Sequence, residues 1–223
     1  EKRYSPVIFQ LGKKAKADYE AVVSGAKQAI KNSLAAKTPG NALAEIERLK
    51  QAAAVAKLPA CIEWVNDFIE TGEKLVVFAT HKFVIDELMT RYGNLAVKVD
   101  GSVTGEERQK SVDRFQNDES VKLFIGNIQA AGVGITLTAS SNVCFLEYAW
   151  SPGDMVQSSD RVHRIGQKNA VTIYNLAAEG TVDEQIIALL EEKRKIIDQI
   201  HDGKIGDMDL NIFSELVKRL LTD

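Results

Sequence analysis

The sequence predicts an α/β fold: a parallel sheet with helices on both faces, preceded by a helical segment. Three observations predict it. From residue 75 onward, short unbroken apolar runs alternate with stretches of helical periodicity. The runs are rich in β-branched and aromatic residues, which suits strands buried on both faces. Glycine and polar residues cluster directly after those runs, where open parallel sheets bind ligands.

Each element has its own signal. Residues 12–57 are rich in Ala, Lys, Glu and Leu, with a break at Thr38-Pro39-Gly40 and a stripe of Leu43, Ile46 and Leu49. They read as a helical hairpin. Pro59 is expected to open another helix, with Ile62, Val65, Phe68 and Ile69 inward and Thr71-Gly72 at its end. Leu75-Val-Val-Phe-Ala-Thr80 is the first buried strand. A helix with Val84, Ile85, Leu88 and Met89 on its inner side follows, ending near Gly93. Ala96-Val-Lys-Val99 is the next strand, closed by Asp100-Gly101. Thr104 and Glu107 form a capping box for a helix carrying Val112 and Phe115. Strands at 121–125, 143–146 and 171–176 follow. Thr181 and Glu184 form a second capping box, opening a long helix with Ile186, Ile187, Leu190, Ile197 and Ile200. After Gly203 and Gly206 comes a short amphipathic segment with Leu210, Ile212, Phe213, Leu216, Leu220 and Leu221.

Composition bounds the possibilities. The 223 residues are 45% hydrophobic and 26% charged, as in globular proteins. No apolar run is long enough to cross a bilayer, and no signal peptide is visible. Cys61 and Cys144 lie in apolar contexts without metal-ligand spacing, so they read as core residues. Net charge is −3, but residues 1–60 carry eleven Lys/Arg against five Asp/Glu, while residues 61–223 carry seventeen against twenty-six. A basic N-terminal third could touch a phosphate backbone, or it could be a solvated helix surface. The first residue is Glu1 rather than Met, which is expected of a fragment or processed chain.

The stretch Gln157-Ser-Ser-Asp-Arg161-Val-His-Arg164-Ile-Gly-Gln167 carries the strongest chemical signal. Ser151-Pro152 is a helix start, with Asp154 in the first turn. Helical spacing places Gln157, Arg161 and Arg164 within one arc and Met155, Ser159 and Val162 on the other. Arginine offers a planar, permanently charged fork for phosphate, so the pair suggests an arginine-finger device for nucleoside triphosphate chemistry. Gly126-Asn-Ile-Gln-Ala-Ala-Gly132-Val-Gly134-Ile-Thr136 follows a buried strand, and its glycines allow close backbone approach. Neither a G-x-x-x-x-G-K-[ST] phosphate loop nor an acidic magnesium box occurs in the chain.

Taken together, these motifs resemble the C-terminal helicase lobe of Swi/Snf-type DNA translocases, the second RecA-like lobe of superfamily-two ATPases. Val-Val-Phe-Ala-Thr80-His81 resembles motif IV. Val99-Asp-Gly101-Ser, with Arg108 and Phe115, resembles the segment after it. Residues 126–138 resemble motif V. Tyr148-Ala-Trp150-Ser-Pro152 and residues 157–167 resemble motif VI and its approach. The likeness covers about residues 40–200. Motif V, with Ile128-Gln-Ala-Ala-Gly132, and Lys57-Leu-Pro-Ala are closer to the annealing-helicase and bacterial or phage branch.

The resemblance implies roles. Arg161 and Arg164 would reach a triphosphate across an interlobe cleft, with Gln157 placing them or the attacking water. Gly134 and Thr136 would lie near the nucleotide. Thr80, His81, Gly101, Asn127 and Gln129 would lie near the DNA backbone, and His163 would orient its neighbours. The cofactor implied is ATP with Mg²⁺, both held mainly by an N-terminal lobe of the same protein, without which the chain is expected to be inactive; no metal site is expected here. The other partner implied is double-stranded DNA, and no membrane. The domains expected are 1–59 helical, 60–203 the RecA-like lobe and 204–223 an amphipathic segment. The setting expected is intracellular, the cytoplasm of a bacterium or viral host. Two other readings are an RNA helicase lobe, separable by comparing duplex DNA with RNA, and a non-catalytic nucleotide-binding regulatory module, which would bind ATP tightly alone.

Overall fold

The computed structural model describes residues 1–130, 134–201 and 212–222, with the side chains of Pro39 and 194–201 left out. The expected features at Gly132, Ile197, Ile200, Gly203, Gly206 and Leu210 fall outside that set. The elements are β1 (Lys2–Phe9), α1 (Lys13–Ala35), α2 (Pro39–Glu70), β2 (Leu75–Ala79), α3 (Lys82–Tyr92), β3 (Ala96–Val99), α4 (Gly105–Asn117), β4 (Leu123–Asn127), β5 (Asn142–Phe145), α5 (Pro152–Ser159), β6 (Val171–Ala178), α6 (Val182–His201) and α7 (Ile212–Thr222).

Six strands form one sheet in the order β1-β6-β5-β2-β4-β3. β2 pairs in parallel with β4 (Phe78 opposite Gly126) and with β5 (Phe78 opposite Phe145); β3–β4 and β5–β6 are parallel too. Every residue of β2 and β5 is buried. Phe78 stacks on Phe145 with centroids 5.4 Å apart, and Phe115 of α4 meets Phe124 of β4 edge-on at 5.6 Å. Burying each such ring contributes about 1.5–3 kcal/mol. Right-handed crossovers in opposite directions along the sheet put α3 and α4 on opposite faces. Tyr92 of α3 donates its hydroxyl proton to the Ile62 carbonyl and to Asn66 of α2, so those two helices share a face.

Contacts divide the chain into two units. One holds Glu1–Ile8, Leu58–Ala149 and Gly153–Ala177; the other holds Phe9–Lys57, Trp150–Pro152 and Ala178–Asp223. The first contains the sheet. In the second, α7 packs its buried Ile212, Leu216, Val217 and Leu220 within its own unit, beside α1 and α6. There Trp150 donates its indole N–H to Glu47 and lies beneath the Lys50 ammonium at 4.4 Å. The Tyr19 hydroxyl accepts the Val182 N–H at 2.8 Å, and its burial pushes its pKa up to about 12.

Three local expectations need correction. Residues Lys2–Phe9 are not helical: they form strand β1 at the sheet edge. The Val171 N–H donates to Glu1 O and the Glu179 N–H to Phe9 O, the constant offset of a parallel pair. Charge at Lys2 and Arg3 and a proline at position 6 obscured the strand, yet proline is tolerated on an edge. Pro59 does not start a helix but lies inside α2. Its missing N–H leaves the Val55 carbonyl without an intrahelical donor. Val55 is 57% exposed, so water can take that place. The capping box at Thr104 and Glu107 is present. At α6 the pattern shifts: the Thr181 hydroxyl accepts the Asp183 N–H, and Glu184 accepts the N–H of Gly180 rather than of Thr181.

Lys57 and Asp183 form a buried ion pair in the second unit at 2.6 Å, with side chains 2% and 6% exposed. Breaking such a pair from one side costs about 3–5 kcal/mol. Lys57→Met is expected to lose that much in urea unfolding.

Candidate functional site

Most of the residues singled out in the sequence fall into two hydrogen-bonded groups in the sheet unit. The first stands at the carboxyl ends of β2, β4 and β5. Thr80 and His81 leave β2, and both backbone N–H groups donate to Glu147 Oε2 at 2.9 Å. The His81 Nδ1 bonds the other oxygen, Oε1. Asn127, at the end of β4, donates its amide to the Thr80 carbonyl at 2.9 Å. Its own Oδ1 accepts from Gln129 N–H at 3.0 Å and Ala130 N–H at 3.3 Å. Thr80, His81, Asn127 and Gln129 are thus one cluster, with the Gln129 side chain exposed. Gly101 follows β3 and is exposed; the turn there is held by Asp100 Oδ1, which accepts the Ser102 N–H and hydroxyl.

Glu147 was missed in the sequence. It lies just past β5 in Phe-Leu-Glu147-Tyr148, and an acid at the end of an apolar strand was the available signal. It is 4% exposed. Burial pushes its carboxyl up, but the His81 ring and the two backbone donors outweigh that and leave its pKa below the ordinary glutamate value.

The second group joins residues 134–140 to residues 158–167. The expected helix carrying Gln157, Arg161 and Arg164 is shorter than expected: α5 ends at Ser159. The Ser159 hydroxyl turns back to the Val156 carbonyl at 2.8 Å, and Ser158 reaches the Ile128 carbonyl at 3.4 Å. Serines bonding backbone in this way compete with helix continuation. The backbone then tightens to i−3 bonds, Arg161 N–H to Ser158 O and Val162 N–H to Ser159 O. Both arginines therefore sit in the turns after α5. Lys2 of β1 pins this segment, with Nζ 2.7 Å from Asp160 and 2.9 Å from the Ser159 hydroxyl.

Beyond that point the two segments are stitched together. Leu137 N–H donates to Arg161 O at 2.8 Å. Arg164 Nη1 donates to the Ile135 carbonyl at 3.1 Å and the Thr136 hydroxyl at 3.0 Å. Gln167 Nε2 donates to Ser140 O at 2.6 Å and Thr138 O at 3.3 Å. Arg164 is exposed and Arg161 half-buried, while Val162 between them is buried. Gly134 has φ +73°, a left-handed backbone that glycine adopts without strain. Gln157 is exposed on α5. His163 is exposed, its Nδ1 4.0 Å from Asp160. Among the described residues no three His, Cys, Asp or Glu stand together as metal ligands. Cys61 and Cys144 are buried free thiols.

Residues 56–166 match the family model of the helicase conserved C-terminal domain. A SWI/SNF-related matrix-associated actin-dependent regulator of chromatin, subfamily A-like protein 1, from Xenopus tropicalis is 38% identical over 150 residues, 66% of this chain and 16% of its own length. A DNA annealing helicase and endonuclease of Homo sapiens is 36% identical over 167 residues, 71% of this chain and 15% of the relative. The solved Sulfolobus solfataricus SWI2/SNF2 ATPase core in complex with dsDNA superposes with a TM-score of 0.72 at 26% identity, over 89% of this chain and 46% of that one. This chain is a Swi/Snf-family helicase C-terminal lobe.

The C-terminal part of the Fun30 ATPase domain shares the fold of this Swi/Snf lobe, with a TM-score of 0.69 at 17% identity over 99% of this chain and 96% of that one. The lobe spans about one sixth of the length of the curated relatives above. One expectation is overturned. A cytoplasmic setting in a bacterium or viral host does not agree with these animal relatives, one of which is named as a regulator of chromatin, a nuclear material.

The lowered pKa of Glu147 sets a pH dependence. A carboxyl depressed on folding contributes stability above its unfolded value, about 4.3, and loses that contribution as pH falls through the folded value. Glu147→Gln is expected to be less stable by about 1–3 kcal/mol at neutral pH. The gap should narrow as pH falls below about 4.3 and close below the folded value, read by urea unfolding of both proteins at neutral and acidic pH.

Proposed function

We propose that this Swi/Snf lobe is half of an ATP-driven motor on double-stranded DNA, with Arg161 and Arg164 as its arginine fingers. The observation that carries the reading is the placement of Arg164. Its Nη1 is fixed by Ile135 O and Thr136 Oγ1, while the residue remains exposed at the surface. A guanidinium both tethered and exposed can meet a triphosphate without first losing its own conformational freedom. The residues present fit such a ligand: a permanent cation, a neighbouring hydroxyl on Thr136, and a close-approach backbone at Gly134.

ATP, when bound, supplies the phosphoanhydride whose hydrolysis drives the cycle. Arg161 and Arg164 neutralise charge on the transferring phosphate, Gln157 assists their placement or that of water, and Gly134 and Thr136 border the nucleotide. Mg²⁺ and the phosphate cradle belong to an N-terminal lobe, for the chain has no phosphate loop. Thr80, His81, Gly101, Asn127 and Gln129 contact the DNA backbone, which positions the duplex without reading its sequence. Closing on ATP and opening after hydrolysis moves one grip relative to the other through differential affinity. The similar Sulfolobus solfataricus core was solved in complex with dsDNA, which supports duplex DNA as the track over RNA.

Two measurements test this. In the full-length protein, Arg164→Ala should lower DNA-stimulated ATP turnover by about 10³–10⁵-fold while leaving the unfolding midpoint close to wild type. Turnover within a few-fold of wild type would remove Arg164 from the finger role. The isolated chain should hydrolyse ATP no faster than background, and full-length turnover should respond to duplex DNA and not to RNA.

A further inference from the structure

The buried carboxylate of Glu147 does more than close a turn. Its Oε2 takes the backbone N–H groups of Thr80 and His81, leaving Oε1 for the His81 ring. An ionised carboxylate has no proton to give, so the proton in that bond sits on Nδ1. The carboxyl is ionised at neutral pH, since its pKa lies below the ordinary range despite burial, which by itself raises it. The neutral ring then carries a lone pair on Nε2, which repels a phosphate oxygen. The protonated ring carries an Nε2–H and a positive charge, which attract one.

We propose that Glu147 is a positioning residue for the DNA grip: it holds His81 so that Nε2 becomes a phosphate donor only when the ring is protonated, and the grip tightens on acidification. The His81 side chain is 22% exposed, so part of the ring meets solvent while Nδ1 is held. On β3, Lys98 lies 3.8 Å from Asp86 of α3 and 3.2 Å from Asp100. From β5 the His81 ring faces Glu147. On α3, Lys82 and Asp86 pair with each other at 2.5 Å, and the Phe83 ring lies 5.6 Å from the imidazole. From β4 the neutral Asn127 amide bonds the Thr80 carbonyl. The proposal rests on the reading of the 80–81 turn as a DNA contact.

The test is duplex DNA binding by the full-length protein over a salt series at several pH values between about pH 6 and pH 8. Wild type should bind more tightly at the acidic end, with a slope of log affinity on log salt steeper by about 0.9, one added phosphate contact. Glu147→Gln should lose most of that rise. His81→Gln keeps the backbone donors to Glu147 and should flatten the profile likewise; it decides the matter if Glu147→Gln does not fold. A long-range proton–nitrogen spectrum should find the His81 proton on Nδ1 in wild type. A profile for either variant that overlays a rising wild-type profile, or a ring proton on Nε2 alone at high pH, overturns the inference. A wild-type protein that binds duplex with no pH dependence overturns the inference and leaves the DNA reading standing. Failure of wild type to bind duplex at any pH and low salt overturns both.

Discussion

One desolvated carboxylate holds the carboxyl ends of β2 and β5 together. Glu147 stands past the end of β5 and reaches sideways to the end of β2, where it accepts two backbone N–H groups and the ring of His81. Backbone that leaves a parallel sheet has unpaired donors, and a buried unpaired donor is costly. A single charged acceptor satisfies two of them at once. The interaction also fixes where Thr80 and His81 sit, and through Asn127 it reaches the backbone of Gln129 and Ala130. Three strand ends are thereby held as one surface before any ligand arrives.

The arginine-bearing segment follows a second logic. It is not a helix, so it cannot obtain rigidity from a regular ladder. It takes its order from the neighbouring loop instead: Leu137 N–H to Arg161 O, Arg164 to Ile135 and Thr136, and Gln167 to Ser140 and Thr138. These bonds couple the loop read as bordering the nucleotide to the loop read as carrying the fingers. A shift of either loop would be felt by the other. Lys2 adds an anchor at Asp160 from the far edge strand.

Much of this was legible in the sequence. The strands β2 to β6 and helices α3 and α4 announce themselves by unbroken apolar runs and helical periodicity, and the Thr104–Glu107 box marks the start of α4. The candidate site residues could be named because the motifs that carry them are local strings. What escaped was set by distance. Glu147 contacts residues more than sixty positions away, and no local pattern reports such a partner. Strand β1 escaped because its lysine, arginine and proline are tolerated only by an edge position that pairing, not composition, creates. The end of α5 escaped because arc counting assumes a helix that the Ser158 and Ser159 hydroxyls dismantle.

The sequence by itself determined the fold class, the strand-end location of the polar residues and the family, since each rests on the order of side chains along the chain. Tertiary structure alone decided which of those residues touch: Arg164 with Thr136, His81 with Glu147, Asn127 with Thr80. The division is physical. Periodicity encodes which face of an element is apolar, whereas hydrogen bonds across strand ends depend on strand order, which side-chain periodicity does not encode.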